Sequence, residues 1–223
     1  MDRSNMILSP NLDYHPAARL ADIKGCDGGC MSDFALPIVL GIALAAATGF
    51  RVFLPMLIVS GAAYTGHLSL DNSFAWLGTR SALIMLSVAA LVEILAYYVP
   101  VIDNLLDSLA TPAAFVAGTV VSAAVMADVP PMVKWTAAVI AGGGIAGLTQ
   151  GVTAMLRAHS TMLTGGLGNS IIASGELGGA LVMSFLALAA PVAAIALVIL
   201  FLWLVVRLAS RRFRSANPSG NQK

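Results

Sequence analysis

Gly41-Ile-Ala-Leu-Ala-Ala-Ala-Thr-Gly-Phe-Arg-Val-Phe-Leu-Pro55 is the stretch that decides the fold class. Gly41, Ala45 and Gly49 recur at every fourth position of an apolar run, so one helix face carries nothing larger than a methyl group. Such a face lets a neighbouring membrane helix approach to backbone contact. Gly143, Gly147 and Gly151 repeat the spacing, and the echo continues beyond the ladders. Thr65-Gly66-His67-Leu68 answers Thr164-Gly165-Gly166-Leu167, Asn72-Ser73 answers Asn169-Ser170, and Ala82-Leu83 answers Ala180-Leu181. Duplicated membrane units are a common way for carriers to enclose a substrate path.

Composition points the same way. The chain is 58% hydrophobic and only 10% charged, whereas soluble domains carry roughly 25% charged residues. A mean hydropathy of +0.87 agrees. Apolar segments at 35–64, 81–100, 108–127, 132–156 and 177–208 reach the roughly 20 residues that cross a bilayer. The expected fold is an all-α integral membrane protein with about five transmembrane helices. The first and fifth segments exceed one span and contain Pro55 and Pro191. Proline removes a helix hydrogen bond, and in a bilayer the freed backbone needs protein or water as partner. Each of these segments is therefore one kinked helix or two pieces. With segments one and two as one unit, four and five as the other, and the third as connector, the units form inverted two-helix repeats.

The expected organisation is a disordered extension over 1–33 with a start at Met31, a polytopic membrane domain over 34–208, and a basic tail over 209–223. Arg207, Arg211, Arg212, Arg214 and Lys223 place the C-terminus in the cytoplasm. Lys134 and Arg80 then share that side, and Arg157 dissents. The implied location is the cell inner membrane, multi-pass. Cys26 and Cys30 have neither a second pair nor a nearby histidine, so no metal site is expected, and no cofactor. The lipid bilayer is the expected partner, with a second copy as homodimer because five helices enclose little. Nucleic acid is not expected, since the only basic cluster is short.

Two charges fall inside apolar spans, Arg51 and Glu93. Each costs about 2.5–3.5 kcal/mol at a helix centre on insertion scales, so a mutual ion pair is the economical expectation. That pair either fixes helix register or serves transport, with Glu93 coupling protons or cations and Arg51 clamping an anion. Asp103, Asn104 and Asp107 share one helical face, which suits a cation or proton relay or simply an interfacial cap below a tyrosine belt at Tyr97 and Tyr98. Thr164, Gly165, Gly166 and Asn169, ahead of Glu176, form a glycine-rich loop that could present N–H groups to an anion or be flexible. No Gly-Lys-Ser/Thr follows it, and no nucleophile elbow or His-Glu-x-x-His motif exists anywhere.

Three motifs taken in order carry a family resemblance. The Gly41–Pro55 stretch, Val92-Glu-Ile-Leu-Ala-Tyr-Tyr-Val-Pro-Val-Ile-Asp-Asn-Leu-Leu-Asp107 and Thr164-Gly-Gly-Leu-Gly-Asn169 resemble the bacterial membrane family catalogued as domain of unknown function 4126. The resemblance implies an integral membrane protein over about residues 35–205 and assigns no activity. Function therefore rests on the residues: a small carrier or channel for an ion or small polar solute, its cargo open. The rival readings are a metal-dependent enzyme acting on a lipid diphosphate through Asp103 and Asp107, and a non-transporting scaffold.

Overall fold

The computed structural model describes residues 29–165 and 168–215, with the side chains of 29–33, 100–105, 107–108, 205–206 and 208–215 outside that description. The readings made for 1–28 and 216–223, including Cys26 and the chain start, fall outside the described residues. The chain divides into two compact units, Met1–Asp33 and Phe34–Lys223, and the second holds the helical bundle. No strand occurs among the described residues.

The helices are α1 (Gly29–Thr48), α2 (Phe53–Tyr64), a 3₁₀ helix (Asn72–Gly78), α3 (Arg80–Ala96) and α4 (Pro100–Ala124). They are followed by α5 (Pro131–Thr164), α6 (Asn169–Ala189) and α7 (Pro191–Ser215). Pro100, Pro131 and Pro191 each stand at the first helical position, where the missing N–H costs nothing and the fixed φ suits a helix. Both long segments are two helices rather than one kinked helix. The first breaks at Gly49–Val52, with Pro55 in the first turn that follows, and the fifth breaks at Ala190.

α5 and α6 are each long and apolar enough to cross a membrane. The 3₁₀ helix with α3, bent by 68°, makes a third candidate if the pair counts as one span. The other apolar helices among the described residues are shorter.

The C-terminal half of α1 is the centre of the bundle. Ala43, Leu44, Ala45, Ala46, Ala47 and Thr48 are all buried on every side, and Val59, Val121, Val125, Met183, Ala187 and Val198 complete the apolar core around them. Small residues allow this closeness. A Cβ on Gly41 would lie 2.8 Å from Ser122 Oγ, and one on Gly49 would lie 2.5 Å from Thr149 Cβ and 2.6 Å from the Ala146 carbonyl oxygen.

α4 packs along α5 by the same device. A Cβ on Gly118 would meet Ala146 Cβ at 2.4 Å, and one on Gly143 would meet Thr119 Oγ1 at 2.5 Å. In this region α5 widens into a π-helical turn, Ala138–Gly143. Gly147 and Gly151 differ from the rest of their ladder. Gly147 has its nearest neighbour at 3.9 Å and Gly151 has none within 4 Å, so neither holds a close approach. The close contacts belong instead to Gly118, Gly142 and Gly143, because it is the π turn that faces α4.

The glycine-rich loop expected around Thr164–Asn169 is short. Helix α5 runs through Thr164 and α6 starts at Asn169, which leaves only 165–168 between them. Away from the bundle centre, Lys134 Nζ and Asp71 Oδ2 form a salt bridge of 2.5 Å with both side chains largely covered. Asp71 Oδ1 also accepts the Ser73 N–H and so opens the 3₁₀ helix. The Lys134 ammonium holds the Asp71 carboxyl below its ordinary range, with the Ser73 hydrogen bonds acting in the same direction.

Candidate functional site

The break between α1 and α2 leaves backbone donors that no helix turn satisfies. At the α1 end, the Gly49, Phe50 and Arg51 N–H groups reach back to the Ala46 and Ala47 carbonyls. At the α2 end, Glu93 reaches across from α3. Its Oε1 accepts the Val52 N–H at 2.7 Å and its Oε2 accepts the Phe53 N–H at 3.0 Å. Pro55, two positions on, has no N–H to satisfy. A carboxylate at a helix N-terminus also meets the positive end of the helix dipole. Glu93 thus caps a helix that its own element does not belong to.

This arrangement changes the expected ion pair. Arg51 and Glu93 lie within electrostatic range of each other, but no hydrogen bond joins them, because both Glu93 oxygens face the α2 backbone. Arg51 instead sends Nη2 to the Ala173 carbonyl of α6 at 3.0 Å. Its guanidinium carbon lies 3.9 Å from the centre of the Tyr97 ring. The guanidinium of Arg157, on α5, lies 4.0 Å from the same centre. Two planar guanidinium groups so near one ring centre would overlap if they shared a face, so the phenol ring lies between them. Stacking of this kind is favourable and is stronger when water is excluded.

Here water is excluded: Arg51 and Arg157 are 1% exposed, Tyr97 and Glu176 4%, Glu93 7%. The direct ion pair of the cluster is Arg157–Glu176. Arg157 Nε donates to Glu176 Oε1 at 3.1 Å and Nη2 donates to Oε2, a two-bond clamp between α5 and α6. Planar, two-bond pairing is the geometry at which arginine exceeds lysine. Two buried arginines, from α5 and the break after α1, therefore meet on the ring of Tyr97, with Glu93 of α3 near Arg51 and Glu176 of α6 bound to Arg157.

An apolar cleft leads to the cluster. Beyond the Tyr97–Val99 turn an open groove of about 710 Å³ lies between α3 and α4. Val92, Met85, Leu109 and Ala113 line its walls, and Glu93 and Tyr97 are its polar residues. A second cavity, about 290 Å³, is lined by Phe50, Thr149, Gly175 and Gly179 and approaches the α1–α2 break from the other side.

The remaining candidates fall elsewhere. Asp103, Asn104 and Asp107 stand in the first turns of α4, and their side chains lie outside the described ones. Thr164 bonds the Ser160 carbonyl through Oγ1 and accepts the Gly168 N–H, while Gly165 takes the left-handed φ of +63° that closes α5. Asn169 is buried and donates to Thr161 Oγ1 at 3.0 Å. These contacts close the α5–α6 turn; Gly166 is outside the described residues. No group of three or more metal-ligating side chains occurs among the described residues.

Two members of the cluster escape the sequence reading. Arg157 reads as a loop charge that conflicts with the charge rule, and Tyr97 as part of an interfacial belt. The signal for Arg157 is the run Thr149, Thr153, Arg157, which puts polar groups on one buried face of α5. For Tyr97, whose neighbour Tyr98 is exposed and bonds Ser174, no local signal separates the two.

The family model for domain of unknown function DUF4126 matches residues 38–211, and the chain belongs to that family. Neither curated proteins nor solved structures give a match.

Proposed function

We propose that this protein is a multi-pass protein of the inner membrane that carries or conducts an ion or small polar solute, with the Tyr97-centred cluster on its path. The observation that carries the reading is five buried polar and charged groups assembled inside a bundle of apolar helices. Such groups are expensive at membrane depth and mark substrate or ion pathways. Arg51 and Tyr97 stand at helix breaks, where carriers built from repeats keep their sites.

The proposed architecture is two inverted halves, α1–α3 and α5–α7, around α4 as connector. Each half gives one arginine and one glutamate to the cluster, Arg51 with Glu93 and Arg157 with Glu176. Each also has a helix that ends the same way. Thr65 and Thr164 bond the carbonyl four residues back, and Gly66 and Gly165 follow with φ of +76° and +63°. Purified protein in sealed liposomes should show ion or solute flux above that of empty vesicles, lost in Arg157→Gln protein that still folds. Flux equal to empty vesicles across a panel of monovalent ions and small polar solutes would overturn the reading.

A further inference from the structure

We propose that the α1–α2 break holds a binding site for a small monovalent anion, a halide or a small carboxylate, formed by the free N–H groups of Arg51. This inference rests on the carrier reading for its physiological meaning and on separate geometry for the site itself. Arg51 is 1% exposed, and its Nε and Nη1 have no hydrogen-bond partner. Buried polar atoms in folded proteins are paired, so an unpaired pair of donors asks for an occupant. A guanidinium is always charged, so the occupant must be an acceptor and is best negative.

The charges around Arg51 point the same way. Glu93 is the nearest acid, but both its oxygens are taken up by the Val52 and Phe53 N–H groups. Glu176 is held in its two-bond clamp by Arg157. Tyr97 offers Arg51 a ring face and no acceptor in that direction. The N-terminus of α2, immediately after Arg51, adds further positive potential.

Two neighbours of the break carry unmet polar groups as well. Thr149, which packs against Gly49, has an unpartnered buried hydroxyl, and the adjacent Gln150 has an unpartnered Nε2. Thr149 also lines the 290 Å³ cavity with Phe50, a residue of the break. Two free nitrogens on one guanidinium suit a single small acceptor group.

The test is anion-dependent stability of the full-length protein in detergent at constant ionic strength. Chloride, bromide, nitrate, formate and acetate replace gluconate, a larger anion, in stepwise titrations. The expected result is a saturable rise in melting temperature with at least one small anion and no rise with gluconate. The midpoint should move at least tenfold higher in Arg51→Lys, which keeps the charge but loses the planar donor set. Asp71→Asn, at the distant Lys134 pair, should keep the wild-type midpoint.

Should Arg51→Lys not fold, wild-type selectivity still decides. A response that follows ionic strength alone, or is the same for gluconate as for chloride and formate, means that only water fills the site and overturns the proposal. A midpoint unchanged in folded Arg51→Lys overturns it as well. Liposome flux separates the two readings: saturable, Arg51-dependent binding without flux upholds the site and sinks the carrier, while anion flux unaffected by Arg51→Lys upholds the carrier and sinks the site.

Discussion

A single added methyl at Gly49 should destabilise the protein, whereas the same methyl at Gly151, in the second ladder, should not. A Cβ at Gly49 would lie 2.5 Å from Thr149 Cβ and 2.6 Å from the Ala146 carbonyl oxygen. Ordinary carbon contacts sit at about 3.5–4.0 Å, so α1 and α5 must separate by roughly 1 Å. Neither obstacle is the far end of a flexible side chain, so no rotamer change relieves it. Overpacking of this kind costs about 1–3 kcal/mol, and the lost freedom of the unfolded chain returns about 0.4–1 kcal/mol. The net cost for Gly49→Ala is then about 1–2 kcal/mol. For a chain of this length that is a fall in Tm of roughly 2–8 °C.

At Gly151 nothing lies within 4 Å of the added methyl, and the residue is inside α5. Alanine there gains helix propensity of up to about 1 kcal/mol, which is a Tm unchanged or raised by roughly 2–4 °C. Gly147→Ala, with its nearest neighbour at 3.9 Å, should behave like Gly151→Ala. The assay is thermal unfolding of the three detergent-purified variants beside wild type. Equal shifts at Gly49 and Gly151 would refute the argument, since it would mean that the ladder spacing, and not the interface, sets the cost.

Three further outcomes are expected. Glu176→Gln should lower stability by about 3–5 kcal/mol through the loss of a buried ion-pair partner, and Arg157→Glu combined with Glu176→Arg should recover part of it in the same unfolding measurement. Glu93→Ala should cost about 1–3 kcal/mol per backbone N–H left without an acceptor, and Glu93→Gln, which keeps one carbonyl oxygen, should cost less; equal losses would argue against the capping role. The folded-state pKa of Asp71 is lowered, so its pair with Lys134 adds stability above the ordinary carboxylate pKa of about 4 and loses it as pH falls through the lowered value. Tm measured from pH 6 down to pH 3, at about one-unit steps, should therefore fall more steeply in wild type than in Asp71→Asn.

Much of this architecture was legible because it follows from local chemistry. Apolar run lengths announce helices, of which two or three among the described residues are long enough to span a membrane where about five are expected, and Pro55 and Pro191 mark the two segments that break. The ladder Gly41, Ala45, Gly49 announces a close interface. What was not legible depends on which residues meet. Nothing local says that the α5 interface runs through Gly142 and Gly143 rather than Gly147 and Gly151, since the π turn that re-aims the face has no sequence mark of its own. Arg157 looked like a surface charge because the glycines at 165, 166 and 168 made the stretch around it look like a loop. The partner of Glu93 was misread for a related reason. Charge counting sees side chains, and the strongest unmet demand near Glu93 came from backbone N–H groups that exist only once the chain breaks.

That break links packing to the site. α1 ends where it meets α5 most closely, at Gly49, and the chain turns over Gly49–Val52 before α2 begins. The turn exposes two N–H groups to an apolar interior, and Glu93 is the acceptor that makes this affordable. Once Glu93 is held there, Arg51 cannot use it and turns to the Ala173 carbonyl and the Tyr97 ring, with two nitrogens left over. Arg157 and Glu176 sit within α5 and α6, away from any break, and bond each other directly. Two arginines and two glutamates thus make different bonds. Arg51 keeps two nitrogens without a hydrogen-bond partner while Arg157 is clamped, which is why the anion test is aimed at Arg51 and the stability test at the Arg157–Glu176 pair.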